Sequence, residues 1–239
     1  MDRKVILLGF LALLVSMVLV SGCQTKSLRL PAYVGQIEGF GEADGHRPQS
    51  LPTAMHRVGV MIITDSSFPR AAPALSPDML AILENRLVKK MDEYFSIPVT
   101  RMRTETPIQP TGATRPFTEL AKTHQLDFLL LAVLSSTEVE SHIEIGEETM
   151  MTRMSGVEIE NGAQAELALL HTDSEKISLH AVGEGSESME QLAAPIGGDY
   201  PRKEDAKDIL RANAAEKALD QALLSMQRQW GRSLVTGKI

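Results

Sequence analysis

The chain has 239 residues, a formal charge of −7 at neutral pH and 43% apolar residues, enough to build one core of ordinary domain size. Its mild acidity excludes a nucleic-acid surface, which needs clustered Lys and Arg, and no polybasic run is present to suit anionic lipid headgroups. Aromatic residues make up 4%, too few for a base-stacking or sugar-stacking platform.

Asp2-Arg3-Lys4, an apolar run from Val5 to Val20 and the small residues Ser21 and Gly22 follow one another in the layout of a secretory signal, so residues 1–22 read as a removable signal peptide. The apolar run is shorter than the roughly 20 residues that span a bilayer. Cys23 is the only cysteine and has no disulfide partner within the chain. Residues 23–55 carry Pro31, Pro48 and Pro52 with Gly35, Gly39, Gly41 and Gly45 and have no sustained periodicity. They are expected to form a flexible tether, about 30 Å long on average.

The folded part is expected at residues 56–231. Arg57 to Thr64 is a continuous apolar run rich in β-branched residues, the pattern of a buried central strand. Ser76, Pro77 and Asp78 then suit an N-cap, the first helical position and the positive end of a helix dipole. Leu80, Leu83, Leu87, Met91 and Tyr94 share one face of the helix they open. Ile97 to Met102 reads as a short strand, Arg103 to Pro116 as a long loop, Phe117 to His124 as a short helix, and Leu126 to Leu134 as the most apolar strand.

Further on, His142 to Ile145 and Val157 to Glu160 alternate apolar and polar residues, as a hairpin or strand extension with an acidic outer face does. Ala163 to His171 places Ala165, Leu167 and Leu169 on one side, and Lys176 to Gly183 returns antiparallel after a turn at 172–175. Gly185 to Arg202 is expected to loop. A terminal helix from about Glu204 to Trp230, with Ile209, Ala212, Leu219, Leu223 and Met226 facing the core, is expected to stop at Gly231 and leave a tail at 232–239. The fold class is α/β, bordering on α+β: a single mixed sheet of about five strands packed with helices in the order β-α-β-α-β-β-β-α.

Val20-Ser21-Gly22-Cys23 resembles the lipobox of bacterial lipoproteins. That resemblance implies cleavage before Cys23 and a covalent palmitate-type lipid on it, and several acyl chains together anchor firmly. In that family Gln24 implies sorting to the outer membrane, with the domain facing the periplasm. Arg57 to Asp65, Phe117 to Leu134 and Ala165 to Val182 resemble the α/β domain shared by the curli-secretion lipoprotein CsgG, the penicillin-binding-protein activator LpoB and the N-terminal domain of TolB. Departures occur at Ala132, where glycine is common in the group, and at Asp173-Ser174-Glu175, where a Thr-Gly turn is usual. This resemblance implies a non-enzymatic adaptor or activator of an envelope protein complex.

Two alternatives stay open: a small-ligand or metal-binding lipoprotein, and a component of a secretion channel. Met150, Met151 and Met154 offer thioethers of the kind copper(I) takes, and His171 beside the turn and His180 on the opposing strand are a cross-strand pair of the kind that binds a metal or senses pH. Methionine is equally a filler of apolar gaps, and His142 with its neighbouring glutamates matches no metal-ligand spacing. No nucleophile elbow, phosphate loop or His-Glu-x-x-His motif occurs, so no catalytic residue and no cofactor beyond the lipid are expected. The protein partner and the oligomeric state stay open.

Overall fold

A computed structural model describes residues 28–35, 37, 57–102, 108–145, 154–192 and 203–236. Its elements are α1 (Leu30–Val34), β1 (Val58–Asp65), α2 (Pro77–Phe95), β2 (Val99–Arg101), α3 (Arg115–Thr123), β3 (Phe128–Ile145), β4 (Met154–His171), β5 (Ile177–Leu192) and α4 (Lys203–Thr236). From β1 onward they follow the expected order. The five strands form one mixed sheet in the order β2-β1-β3-β4-β5, with β1 parallel to β2 and β3, and β3, β4 and β5 mutually antiparallel.

Both faces of this sheet are apolar where β1 runs beside β3, so each needs a covering layer. Val60, Ile62, Leu130, Ala132, Leu167 and Leu169 pack under α2 and α4, whose contributions include Leu83, Leu87, Ala218 and Leu223. Met61, Ile63, Leu131, Val133, Ala168 and Leu170 face the other way and are covered by Phe117 and Ala121 of α3 and by Leu30, Tyr33 and Val34 of α1. Alternation with a period of two sends each strand's side chains to both cores.

Helix α2 starts as its sequence dictates. Ser76 Oγ accepts from Met79 N at 3.4 Å, and Pro77 and Asp78 occupy the first turn. It closes on Ser96 in a left-handed conformation, φ 53°, with the Ser96 amide donating to Asp92 O. Arg57 and Asp127 join the starts of β1 and β3 through hydrogen bonds of 2.6 and 3.2 Å. Helix α4 lies along β5, where Ala214, Ala218 and Ala222 meet Gly183 and Gly185; a Cβ at either glycine would collide with the helix backbone.

Four expectations are corrected. Residues 23–55 are not uniformly a tether, because Leu30–Val34 is a helix seated in the second core, with Leu30 fully buried. The loop expected from Gly185 begins later, since β5 continues to Leu192 against β4. Helix α4 passes Gly231 and reaches Thr236, so the expected tail at 232–239 is largely helical. A lone glycine costs a helix only about 1 kcal/mol, and Trp230, edge-on to Phe95 at 6.1 Å, ties this end of α4 to α2. Ile209, expected in the core stripe of α4, is 50% exposed, because it lies on the opposite side of the helix from Lys207 and Arg211, which face the sheet.

Candidate functional site

Beyond Ser135, the partner of Asp65 at the end of β1, the strands β3, β4 and β5 run on as a three-stranded ribbon. The alternating segments at 142–145 and 157–160 are therefore extensions of β3 and β4. On one ribbon face lie Glu138 and Glu140, which meet α4. Lys207 Nζ is 3.0 Å from both Glu138 Oε1 and Glu140 Oε2, and Arg211 Nε is 2.9 Å from Glu138 Oε2. Burial pushes the Glu138 carboxyl up, but hydrogen bonds from Lys207 and Arg211 outweigh it and leave the group below its usual range. The Glu138 hydrogen bond likewise raises Lys207 against its burial. Glu138 and Glu140 are thus neutralised by the start of α4.

The other ribbon face carries no helix among the described residues. Exposed there are Thr137, Val139, Glu160, Glu184, Ser186 and Glu190, and Gly162 floors a shallow, open depression of about 450 Å³. At its base stands a polar cluster that the sequence did not announce. Glu166, 1% exposed, points from β4 toward α1 and accepts from the backbone amides of Arg29 and Leu30, the latter at 3.1 Å. These are amides that open α1, which no earlier turn of helix can satisfy, so the carboxylate acts as their cap. The Arg29 guanidinium lies 4.3 Å over the Phe68 ring, with Nε 4.0 Å from Asp65 Oδ2.

Burial raises the Glu166 pKa, and the two amides oppose that shift. His180, whose Nε2 is 4.0 Å from Glu166 Oε2, is pushed down to about 4 by burial. Tyr33 is pushed up to about 12, first by burial and then by the Asp65 carboxylate beside its hydroxyl. Asp65, Glu166 and His180 are all closed off from solvent. The cavity at the end of β1, lined by Asp65, Ser135 and Arg211, holds about 20 Å³, room for one water. Chemically this cluster fastens the N-terminal segment to the sheet and offers no approach to a substrate.

The two histidines proposed as metal ligands serve different places. His171 accepts through Nδ1 from the amides of Asp173 and Ser174, at 3.2 and 3.3 Å, and packs edge-on to Phe128 at 4.8 Å. His180 stands opposite Ala168, beneath α1. Among the described residues no group of three or more His, Cys, Asp or Glu side chains could hold a metal. Met150 and Met151, like Val20, Ser21, Gly22, Cys23 and Gln24, lie outside the described residues, and Met154 is placed only as the first residue of β4. Among the described residues no helix is long and apolar enough to cross a membrane.

Glu166 had a signal in the sequence. In Ala165-Glu166-Leu167-Ala168-Leu169-Leu170 both faces of the strand are apolar, so a charge on either face must be buried and bonded. Arg29, Asp65 and Tyr33 had none, because their meeting depends on where α1 docks.

No protein-family model matches this chain. The search of curated proteins found no match either. Solved structures similar to it include a neuraminyllactose-binding hemagglutinin homolog from Helicobacter pylori (12% identity, 84% of this chain and 98% of that one, TM-score 0.38). Another is the rare lipoprotein B from Shewanella oneidensis (11% identity, 73% and 97%, TM-score 0.30). A third is lipoprotein GNA1162 from Neisseria meningitidis (13% identity, 59% and 88%, TM-score 0.27).

Proposed function

We propose that the chain is a lipoprotein acylated on Cys23, anchored in the bacterial outer membrane with its domain in the periplasm, and acting as a non-enzymatic adaptor or activator of an envelope protein complex. The observation that carries this reading is the grip of Glu166 on the amides of Arg29 and Leu30, which builds the chain only a few residues after Cys23 into the folded core. A secretory signal ending at a lone cysteine, with the folded domain beginning a few residues later, supports a lipid-anchored domain. Gln24 supports the outer membrane as the destination, and the resemblance to the CsgG, LpoB and TolB group supports partner binding.

The helix-free ribbon face supports a protein partner over a small ligand. It is broad, open and polar, whereas small-molecule sites are concave and bury most of their ligand. Affinity capture from envelope extract tests this with the full lipidated chain against a Glu160→Lys, Glu184→Lys variant. The wild type is expected to retain a stoichiometric envelope protein that the variant loses. Capture of the same set by both, or of nothing by either, contradicts the ribbon face as the adaptor surface.

A further inference from the structure

Strand β5 closes one side of the sheet, and among the described residues no strand pairs with its outer edge. In an antiparallel ladder alternate residues turn both backbone groups outward. Two such positions on β5 are marked by their partners. The Glu184 amide donates to Gln221 Oε1 at 2.6 Å, and the Ser186 carbonyl accepts from Lys217 Nζ at 3.3 Å. Lys217 is itself held by Glu187 at 2.7 Å. Helix α4 thus guards the edge near the body with two side chains one turn apart, and a lysine is a common device for keeping an edge from pairing.

The guard stops there. The register with β4 runs without a shift from Gly183 to Leu192, so the next outward positions are Ser188 and Glu190. Both are exposed, and their outward amides and carbonyls have no backbone partner among the described residues. The opposite edge of the ribbon is less free. There Ala72 N donates to Ser136 O at 2.8 Å, Ala71 pairs with Thr137, and Lys207 and Arg211 engage the next carboxylates, Glu138 and Glu140.

Charge selects what can use the open β5 edge. Residues 184–192 carry Glu184, Glu187 and Glu190 and no Lys or Arg, and Glu158 and Glu160 stand opposite them on β4. A second copy pairing edge to edge would bring Glu184, Glu187 and Glu190 of both chains along one seam, and like charges across strands destabilise. A strand with Lys or Arg at alternate positions meets the opposite condition. Its backbone continues the ladder while its cations lie beside Glu184 and Glu190 on the helix-free face.

We infer, on the adaptor reading above, that the β5 edge from Ser188 to Leu192 is a strand-addition site, where the envelope partner lays down an extended, Lys- or Arg-bearing segment as a sixth strand. Main-chain hydrogen bonds supply the affinity and the carboxylates select the sequence. The guarded stretch at Glu184 and Ser186 sets the end of the site nearest the body.

The test uses the full lipidated chain in detergent and two capped peptides of about eight residues, one alternating Lys with Val and the other Glu with Val. In the free protein the amides of Ser188 and Glu190 are expected to exchange with solvent faster than those of Glu187 and Met189, which face β4. The Lys–Val peptide is expected to bind and to slow the Ser188 and Glu190 amides several-fold, and the Glu–Val peptide to do neither. Ser188→Pro removes one outward amide while leaving the β4 ladder and every charge in place, and is expected to weaken binding about tenfold. Ser188→Thr keeps the amide and is expected to bind as the wild type does. If the proline variant does not fold, Glu184→Lys combined with Glu190→Lys decides, since it keeps the edge and is expected to move the preference to the Glu–Val peptide. No binding by the wild type, binding that the proline leaves unchanged, or a preference that charge reversal does not move overturns strand addition. A wild type that binds no peptide yet retains its partner in the envelope capture loses this site alone, whereas one that captures nothing loses the adaptor reading.

Discussion

At the scale of single residues, the cluster under α1 shows how a buried charge is tolerated. Glu166 keeps two backbone amides as partners, so removing it leaves buried donors unsatisfied as well as an empty site. His180 beside it is the residue whose titration the fold resists most clearly. Its folded pKa is about 4, against an ordinary value of 6.5. Between these values the unfolded chain binds the proton and the folded chain does not, so His180's contribution is complete above pH 6.5 and declines as the pH falls toward 4. The loss is on the order of 3 kcal/mol. Glu166 acts in the opposite sense, because its raised pKa favours the folded state as the pH falls. Urea unfolding of the wild type and of His180→Leu from pH 7 to pH 4 separates the two. The variant is expected to lose less stability over that window, and a variant that loses as much as the wild type contradicts the assignment.

At the scale of elements, legibility followed length and periodicity. Helix α2 was readable to its cap because Ser76, Pro77 and Asp78 each favour a helix start and nineteen residues repeat a core stripe. Strands β1 and β3 were readable because both faces are apolar. Helix α1 was not, since five residues including Pro31 show no period and hold their shape only by packing Leu30, Tyr33 and Val34 into the core. The continuation of β5 past Gly185 was hidden for a related reason. Gly185 reads as the start of a loop, yet it and Gly183 are glycine because α4 lies against them.

The docking of α1 makes its own prediction. Glu166→Ala is expected to cost about 1–3 kcal/mol and to expose the bond after Arg29 to trypsin, with the rest of the domain intact. Mass spectrometry of early digestion products checks it. An Arg29 site as resistant as in the wild type would show that apolar packing alone holds the strap.

At the scale of the whole molecule, the sheet does two jobs with one set of strands. Its lower half, between α2 with α4 and α3 with α1, is the stable body. Its upper half is a ribbon backed by α4 through Lys207 and Arg211 and open on the other side. The central claim is the lipid on Cys23, and detergent phase partition of the wild type against Cys23→Ser, each expressed with its signal segment, tests it most directly. The wild type is expected in the detergent phase and the variant, equally folded, in the aqueous phase; equal partition of the two would contradict the account.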